Sequence, residues 1–286
     1  MRIHHLNCGA LHPPLGGLLF GNMVCHCVLV ETERGLVLID SGIGLEDLAR
    51  PAERIGWPLK SMLGVAPDPE ITAVRQIERL GFTRRDVRHI VLTHLDFDHA
   101  GGLSDFPEAK VHVAKAEYDA AVHPTNRRDK QRYRSQQWAH NPDWTCYETR
   151  GERWNKFECV RDLEGLPPEI LLVPLVGHSR GHSAVAVDTG RGWLLHAGDA
   201  YFFHAEPRPE APFCPAGLRL LQWFVQADSE ARMWNQQRLR ELVRDHSEVR
   251  VFCAHDETEL QRSLASDRAT GAESGADVPS AAGTGL

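Results

Sequence analysis

Residues 93–102 read Thr-His-Leu-Asp-Phe-Asp-His-Ala-Gly-Gly. Within this run His94, Asp96, Asp98 and His99 offer two imidazoles and two carboxylates. That set can hold a divalent metal ion, because imidazole nitrogen and carboxylate oxygen are ordinary ligands of zinc and its neighbours. Asp and Gly alone would suit a plain polar turn. Two histidines in the same turn exceed what a turn needs. The run follows an apolar stretch, 87–92, that reads as a buried strand. Its ligands would then sit on a loop positioned by a rigid sheet.

Three more polar clusters also follow apolar stretches. His178 lies in Gly-His-Ser-Arg-Gly-His, after 170–176. Asp199 lies in His-Ala-Gly-Asp-Ala, after 193–195, and His255 in Cys-Ala-His-Asp, after 249–253. A lone His at a strand end is more often an ordinary polar residue than a ligand. Four such clusters, all at strand ends, point to one site.

The elements that must position them alternate in type. Residues 24–30 and 36–39 read as a hairpin, closed by Asp40-Ser41-Gly42. Residues 43–69 read as loop. Ile71, Val74, Ile77 and Leu80 have helical spacing, stopped by Gly81. A short strand at 110–114 and a short helix at 116–122 follow the ligand run. Strands are expected at 170–176, 183–187, 193–197 and 249–254, with a helix capped by Asp228 or Ser229 running to about 245. The segment 123–160 mixes Arg127, Arg128, Lys130, Arg132 and Arg134 with Tyr133, Trp138, Trp144, Tyr147, Trp154 and Phe157. It reads as an inserted cap over a sheet edge. Its aromatics either wall a pocket or pack on the surface, and Arg132 and Arg134 are candidates for a substrate carboxylate. One domain spans 1–265. The Ala/Gly/Ser-rich stretch 266–286 reads as a disordered tail.

With 286 residues, 42% hydrophobic and 25% charged, the chain has the composition of a soluble globular protein. Its net charge of −7, 32 basic against 39 acidic residues, argues against nucleic-acid binding by general attraction. A small-molecule substrate is expected, with no nucleic acid and no membrane; the oligomeric state stays open. Residues 15–20 are too short and Gly-rich for a signal segment. Seven cysteines without a disulfide spacing suit a reducing, cytoplasmic setting. In Cys25-His26-Cys27 a strand would turn both Cys to one face and His26 to the other, which fits buried thiols better than a metal clip.

Over roughly residues 20–260 the chain resembles the metallo-β-lactamase-fold hydrolases. Leu38-Ile39-Asp40-Ser41-Gly42 matches the first motif. His94, Asp98 and His99 match His-x-His-x-Asp-His, with Asp96 where the second His normally stands. His178, Asp199 and His255 match the later motifs. The nearest branch is the N-acyl-homoserine-lactone lactonase-like one, on Phe97-Asp98-His99-Ala100-Gly101-Gly102, Glu117-Tyr118-Asp119-Ala120-Ala121 and Phe252-Cys253-Ala254-His255-Asp256.

The resemblance implies an α/β fold of the αββα sandwich type, two packed mixed sheets with helices outside. It implies two divalent metal ions. One would take His94, Asp96 and His178, the other Asp98, His99 and His255, with Asp199 and a hydroxide between them. Zinc comes first. A hard carboxylate at Asp96 tilts the first position toward Mn2+ or Fe2+, or else Asp96 turns away and leaves it without an ion. Asp40 would orient a ligating His, and His182 would pack behind the site. The implied activity is attack of a metal-bound hydroxide on a carbonyl ester or lactone, an acyl-homoserine lactone among the candidates. Asp98 or Asp199 would carry the proton. The branch uses a Tyr close after the bridging Asp. Tyr201 stands one residue early, and Phe202 holds the usual place. Thioesterase or phosphodiesterase chemistry on the same fold is the alternative, and an iron-dependent oxygen or sulfur oxidoreductase a more remote one.

Overall fold

Period-two alternation in the strands decides which layer each side chain joins. In β2 (Met23–Thr32), Cys27 and Leu29 face one way and Val28 and Val30 the other. In β3 (Gly35–Ile39), Leu36 and Leu38 part from Val37 and Ile39 in the same manner. The computed structural model describes residues 1–13, 21–148, 151–159 and 163–274. The stretch 15–20 and the end of the chain from 275 on lie outside the described residues.

The first sheet runs β1–β2–β3–β4–β5–β6, adding β1 (Arg2–Leu11), β4 (Val87–Val91), β5 (Lys110–Ala114) and β6 (Asp143–Tyr147). Its first three strands are antiparallel and β3 to β6 are parallel. A small hairpin, β7 (Glu152–Trp154) and β8 (Phe157–Cys159), follows. The second sheet has β9 (Ile170–Pro174), β10 (Ser183–Asp188), β11 (Trp193–His196) and β12 (Val249–Phe252), in the order β12–β11–β10–β9. β11 and β12 are parallel.

Val28, Val30, Val37, Ile39 and Val91 of the first sheet meet Ile170, Leu172, Val185 and Val187 of the second in one apolar layer. The first sheet's other face packs against Ala73, Val74 and Ile77 of the helix Ala73–Arg79 and against Ala120 and Ala121 of Lys115–Val122. The outer face of the second sheet packs against Leu239 and Leu242 of Ser229–Asp245. This is the expected αββα sandwich.

Several expectations change. Residues 43–69 are not loop: they form the helices Leu45–Ala49, Pro51–Arg54 and Trp57–Leu63. Pro51 and Pro58 stand in first turns, where proline is tolerated, and Gly64 ends the last at φ 60°. The segment 123–160 does not lie over an open edge; it supplies β6, which is the edge strand. Its aromatics pack inward: Trp138 and Trp144 join the first core and Trp154 the second. The stretch read as tail from 266 continues a helix, Glu257–Ser274, in which Asp267 accepts the His5 backbone N–H at 3.3 Å. The strand β1 was hidden in the sequence by polar His4, His5 and Asn7, and the helix Ala216–Val225 by its start at Pro215-Ala216-Gly217, which reads as a turn.

Candidate metal centre

The parallel pairs bring the polar clusters to one rim. β3 and β4 end together, so Asp40 meets the loop carrying His94 to His99: the Asp40 N–H donates to Val91 O at 3.0 Å. β11 and β12 end together, so Asp199 meets His255. Ligands outside the carboxyl ends of strands are the general habit of open α/β sheets. The loop after β4 turns at once into the short helix Phe97–Ala100. Its return is tight. A Cβ on Gly102 would lie 2.5 Å from Ser41 O, so no side chain fits there.

Asp199 sits in the middle. Its Oδ1 is 3.3 Å from His99 Nε2 and 3.1 Å from His255 Nε2. Its Oδ2 is 3.3 Å from His178 Nε2 and 3.8 Å from His94 Nε2. Asp96 Oδ2 is 3.0 Å from His178 Nε2 and 3.4 Å from His94 Nε2. Asp98 Oδ2 is 3.6 Å from His255 Nε2. Asp199 thus touches both halves of the cluster: Oδ1 faces His99, Oδ2 faces His178 and His94, and His255 Nε2 lies close to both oxygens, 3.2 Å from Oδ2. All seven expected ligands are brought together.

Three of the four imidazoles are held by their other nitrogen. His99 Nδ1–H donates to Asp40 Oδ2 at 2.8 Å and His255 Nδ1–H to Val24 O at 2.7 Å. Thr93 Oγ1 donates to Asp40 Oδ2 at 2.8 Å and accepts from His94 Nδ1 at 3.0 Å. These bonds leave Nε2 of His94, His99 and His255 as the free face. His182 lies behind, its Nδ1–H donating to Leu175 O and its Nε2 accepting the Asp199 N–H at 2.9 Å. It is a support and not a ligand.

The electrostatics follow the same division. Burial would raise the Asp40 carboxyl, but His99 beside it brings it down to about 2. Burial would lower His255, but Asp199 wins and lifts it to about 9. His178 is pushed down to about 3 by burial and then by Arg132. Arg132 is the unexpected member. It donates from Nε to Asp96 Oδ1 at 2.6 Å and from Nη2 to Asp96 Oδ2 at 2.5 Å. It is therefore held within the site and does not reach out for substrate.

The metallo-beta-lactamase superfamily model matches residues 20–255. The chain belongs to this superfamily. It is 42% identical over 260 residues to a probable metallo-hydrolase of Mycobacterium tuberculosis, covering 90% of this chain and 80% of that one. It is 29% identical over 247 residues to an N-acyl homoserine lactonase of Bacillus cereus, with 84% of each covered. A solved N-acyl homoserine lactone hydrolase with N-hexanoyl-L-homoserine bound at its catalytic metal centre superposes with a TM-score of 0.67 at 22% identity, covering 91% of this chain and 95% of that one. The chain is thus a metal-dependent hydrolase of the metallo-beta-lactamase superfamily.

The residues fit the metals such a hydrolase uses. His94 Nε2, His99 Nε2 and Asp199 Oδ1 are buried with no hydrogen-bond partner, which is costly unless something else binds them. Tyr201 is a correction to the expected site. It is buried in the second core, and its hydroxyl donates to Glu259 Oε1 at 3.0 Å. Phe202 faces the site instead, with its ring centroid 5.1 Å from that of His255.

Two residues escaped the sequence reading. Cys25 turns its sulfur toward Asp98 and His255, all three ligand atoms lying within 4.8 Å of one another. Burial first, and then the neighbouring Asp98, push its thiol up. Glu117, seen only as part of a branch motif, is fully buried. It accepts from Leu95 N–H at 3.0 Å, Tyr133 hydroxyl at 3.0 Å, Ser179 hydroxyl at 2.6 Å and Gly181 N–H at 2.9 Å. One carboxylate therefore ties the His94 loop, the His178 loop and the segment carrying Arg132. A buried Glu in the first turn of a helix that follows a strand was the available signal.

Proposed function

We propose that the protein hydrolyses a carboxylic ester or lactone carrying an apolar arm, at a centre of two divalent ions, zinc first. The observation that carries this is the cleft over the cluster. It has a volume of about 480 Å³, and Asp98, His178, Asp199 and His255 line it together with Phe97, Phe202, Leu221 and Phe224. Arg128, Gln131, Arg132 and Arg134 line it as well, but the walls are mainly apolar, which suits an acyl chain joined to a reacting carbonyl.

His94, Asp96 and His178 would hold one ion and Asp98, His99 and His255 the other, with Asp199 shared. Bound there, the ions would supply Lewis acidity and a water of lowered pKa. The chain does the rest. Asp40, Thr93 and Val24 fix the imidazoles in the tautomer that presents Nε2. Asp98 lines the cleft and is paired only with His99 and His255 among the described ion pairs. It is placed to pass a proton to a leaving oxygen. Phe202 and Leu221 would hold the arm and exclude water. Likeness to N-acyl homoserine lactonases supports a lactone. No tyrosine is among the described residues lining the cleft, so bound ions would supply the carbonyl polarisation.

Steady-state assay of the zinc-loaded protein on acyl lactones, aryl esters, thioesters and phosphodiesters tests this. Lactone or ester turnover, with KM falling as the acyl chain lengthens, is expected. Phosphodiester turnover without ester or lactone turnover would refute it.

A further inference from the structure

The pair Asp96–Arg132 makes the two halves of the centre unequal. Both Asp96 oxygens are taken by the guanidinium, and the oxygen facing His94 and His178 is the one that Nη2 holds. Nη1 donates further to His178 O at 3.0 Å and to Val225 O at 2.6 Å. Four of the five guanidinium N–H groups are thus committed, and the cation cannot leave without breaking them. The side chains of Arg132 and Asp96 are 14% and 17% exposed, so water screens the pair little. A bidentate fork occupies the carboxylate lone pairs that face it. An ion at His94, Asp96 and His178 would therefore share its only unshared carboxylate with a fixed positive charge.

The other half differs. The described ion pairs of Asp98 and Asp199 are all with histidines. Asp40 adds a third carboxylate behind His99. No guanidinium or ammonium offsets these charges in the described ion pairs.

Resting on the dinuclear reading above, we infer that Arg132 is a resident competitor of the first ion. The position of Asp98, His99 and His255 fills first, and the position of His94, Asp96 and His178 holds a weaker, exchangeable ion. An arginine that merely orients Asp96 as a ligand would act in the opposite direction, because removing such a support weakens metal binding.

The test is competition of Zn2+ against a chromophoric chelator, with stepwise dissociation constants for the parent, Arg132→Met, Arg132→Lys and Asp96→Asn. The parent should show two steps separated by roughly tenfold or more. Arg132→Met should tighten the weaker step by roughly tenfold, since a fixed charge is removed from beside a divalent ion. The stronger step should stay within about twofold. Asp96→Asn should lose the weaker step alone. A single step in the parent that becomes two in Arg132→Met supports the inference in its extreme form. Equal steps in the parent overturn it, as does an Arg132→Met protein whose weaker step is unchanged or weakened. Where Arg132→Met fails to fold, Arg132→Lys decides. It keeps the charge and loses the fork, so a tightening of roughly threefold is expected, and no tightening overturns the inference. A parent that binds no Zn2+ overturns the metal-centre reading itself, which separates that failure from this one.

Discussion

Asp40→Asn is the sharpest probe of how the chain aims its ligands. Asp40 sits at φ 54°, a conformation Asn tolerates as well as Asp, so the backbone has no reason to move. Its Oδ1 accepts Thr93 N–H at 2.8 Å, and its Oδ2 accepts from Thr93 Oγ1 and His99 Nδ1, both at 2.8 Å. In the variant an amide keeps one oxygen for Thr93 N–H and places an NH2 group where Oδ2 was. That group donates to His99 Nδ1, which must then lose its proton. The imidazole is driven to carry its proton on Nε2, the atom aimed at the centre. Metal binding must reverse that tautomer. Losing a buried carboxylate that orients a ligating His costs about 10–100-fold in metal affinity, equal to about 1.4–2.7 kcal/mol. The loss should fall on the His99 half of the centre. Chelator competition with Zn2+ measures it, and melting of the metal-free protein checks that the fold is intact. An Asp40→Asn protein that binds Zn2+ as tightly as the parent would refute the reasoning.

Metal uptake should release protons. His255 is raised to about 9 in the metal-free protein, against an ordinary 6.5, so at neutral pH an ion must displace its proton. Apparent Zn2+ affinity should rise by up to about tenfold per pH unit toward pH 9, read by titration calorimetry in buffers of different ionisation enthalpy. The sign for stability is opposite: the raised pKa stabilises the metal-free fold fully below pH 6.5, and that contribution disappears as pH rises through about 9. Tyr201→Phe should leave kcat within about twofold and cost about 1 kcal/mol of stability, the worth of its bond to Glu259; a kcat loss of about a hundredfold would restore it to the catalytic machinery. Trp138→Ala should cost about 3–5 kcal/mol, because Trp138 belongs to the first core. Its KM should stay unchanged, and a raised KM without a stability loss would count against the placement.

The gathering of the seven candidate residues was legible because motif and position agreed. Each cluster follows an apolar run, and a parallel sheet places the carboxyl ends of neighbouring strands side by side. The apolar runs at 36–39, 170–176 and 183–187 likewise marked β3, β9 and β10 as strands, whereas which residue faces which layer came only from the fold. Tyr201 was misread because one residue of offset in a tight turn decides everything. After Asp199 the chain bends, with Ala200 N–H donating to Ala197 O at 3.1 Å. Tyr201 then falls toward Glu259 and Phe202 toward the cleft. Trp138 and Trp144 were misassigned for a related reason. Composition reports that a segment is aromatic but not which face it shows, and β6 turned out to be part of the sheet itself.

The Asp96–Arg132 pair was invisible for a deeper reason. The two residues are separated by thirty-six positions, and neither is unusual where it stands. Only the fold shows that an acidic replacement in the ligand run and a basic residue in the 123–160 segment belong to one arrangement. A carboxylate put in place of a neutral imidazole adds a negative charge to a buried site, and such a charge is tolerated only when paired. Arg132 supplies the pairing cation and is itself satisfied by His178 O and Val225 O. The helix Ala216–Val225, which carries the cleft residues Leu221, Phe224 and Val225, therefore ends on the same guanidinium that holds Asp96. The wall that would grip an apolar arm and the carboxylate that would grip an ion are joined through one side chain. Within this arrangement, loosening Arg132 disturbs the cleft and the metal centre together, whereas Leu221→Ala acts on the cleft alone.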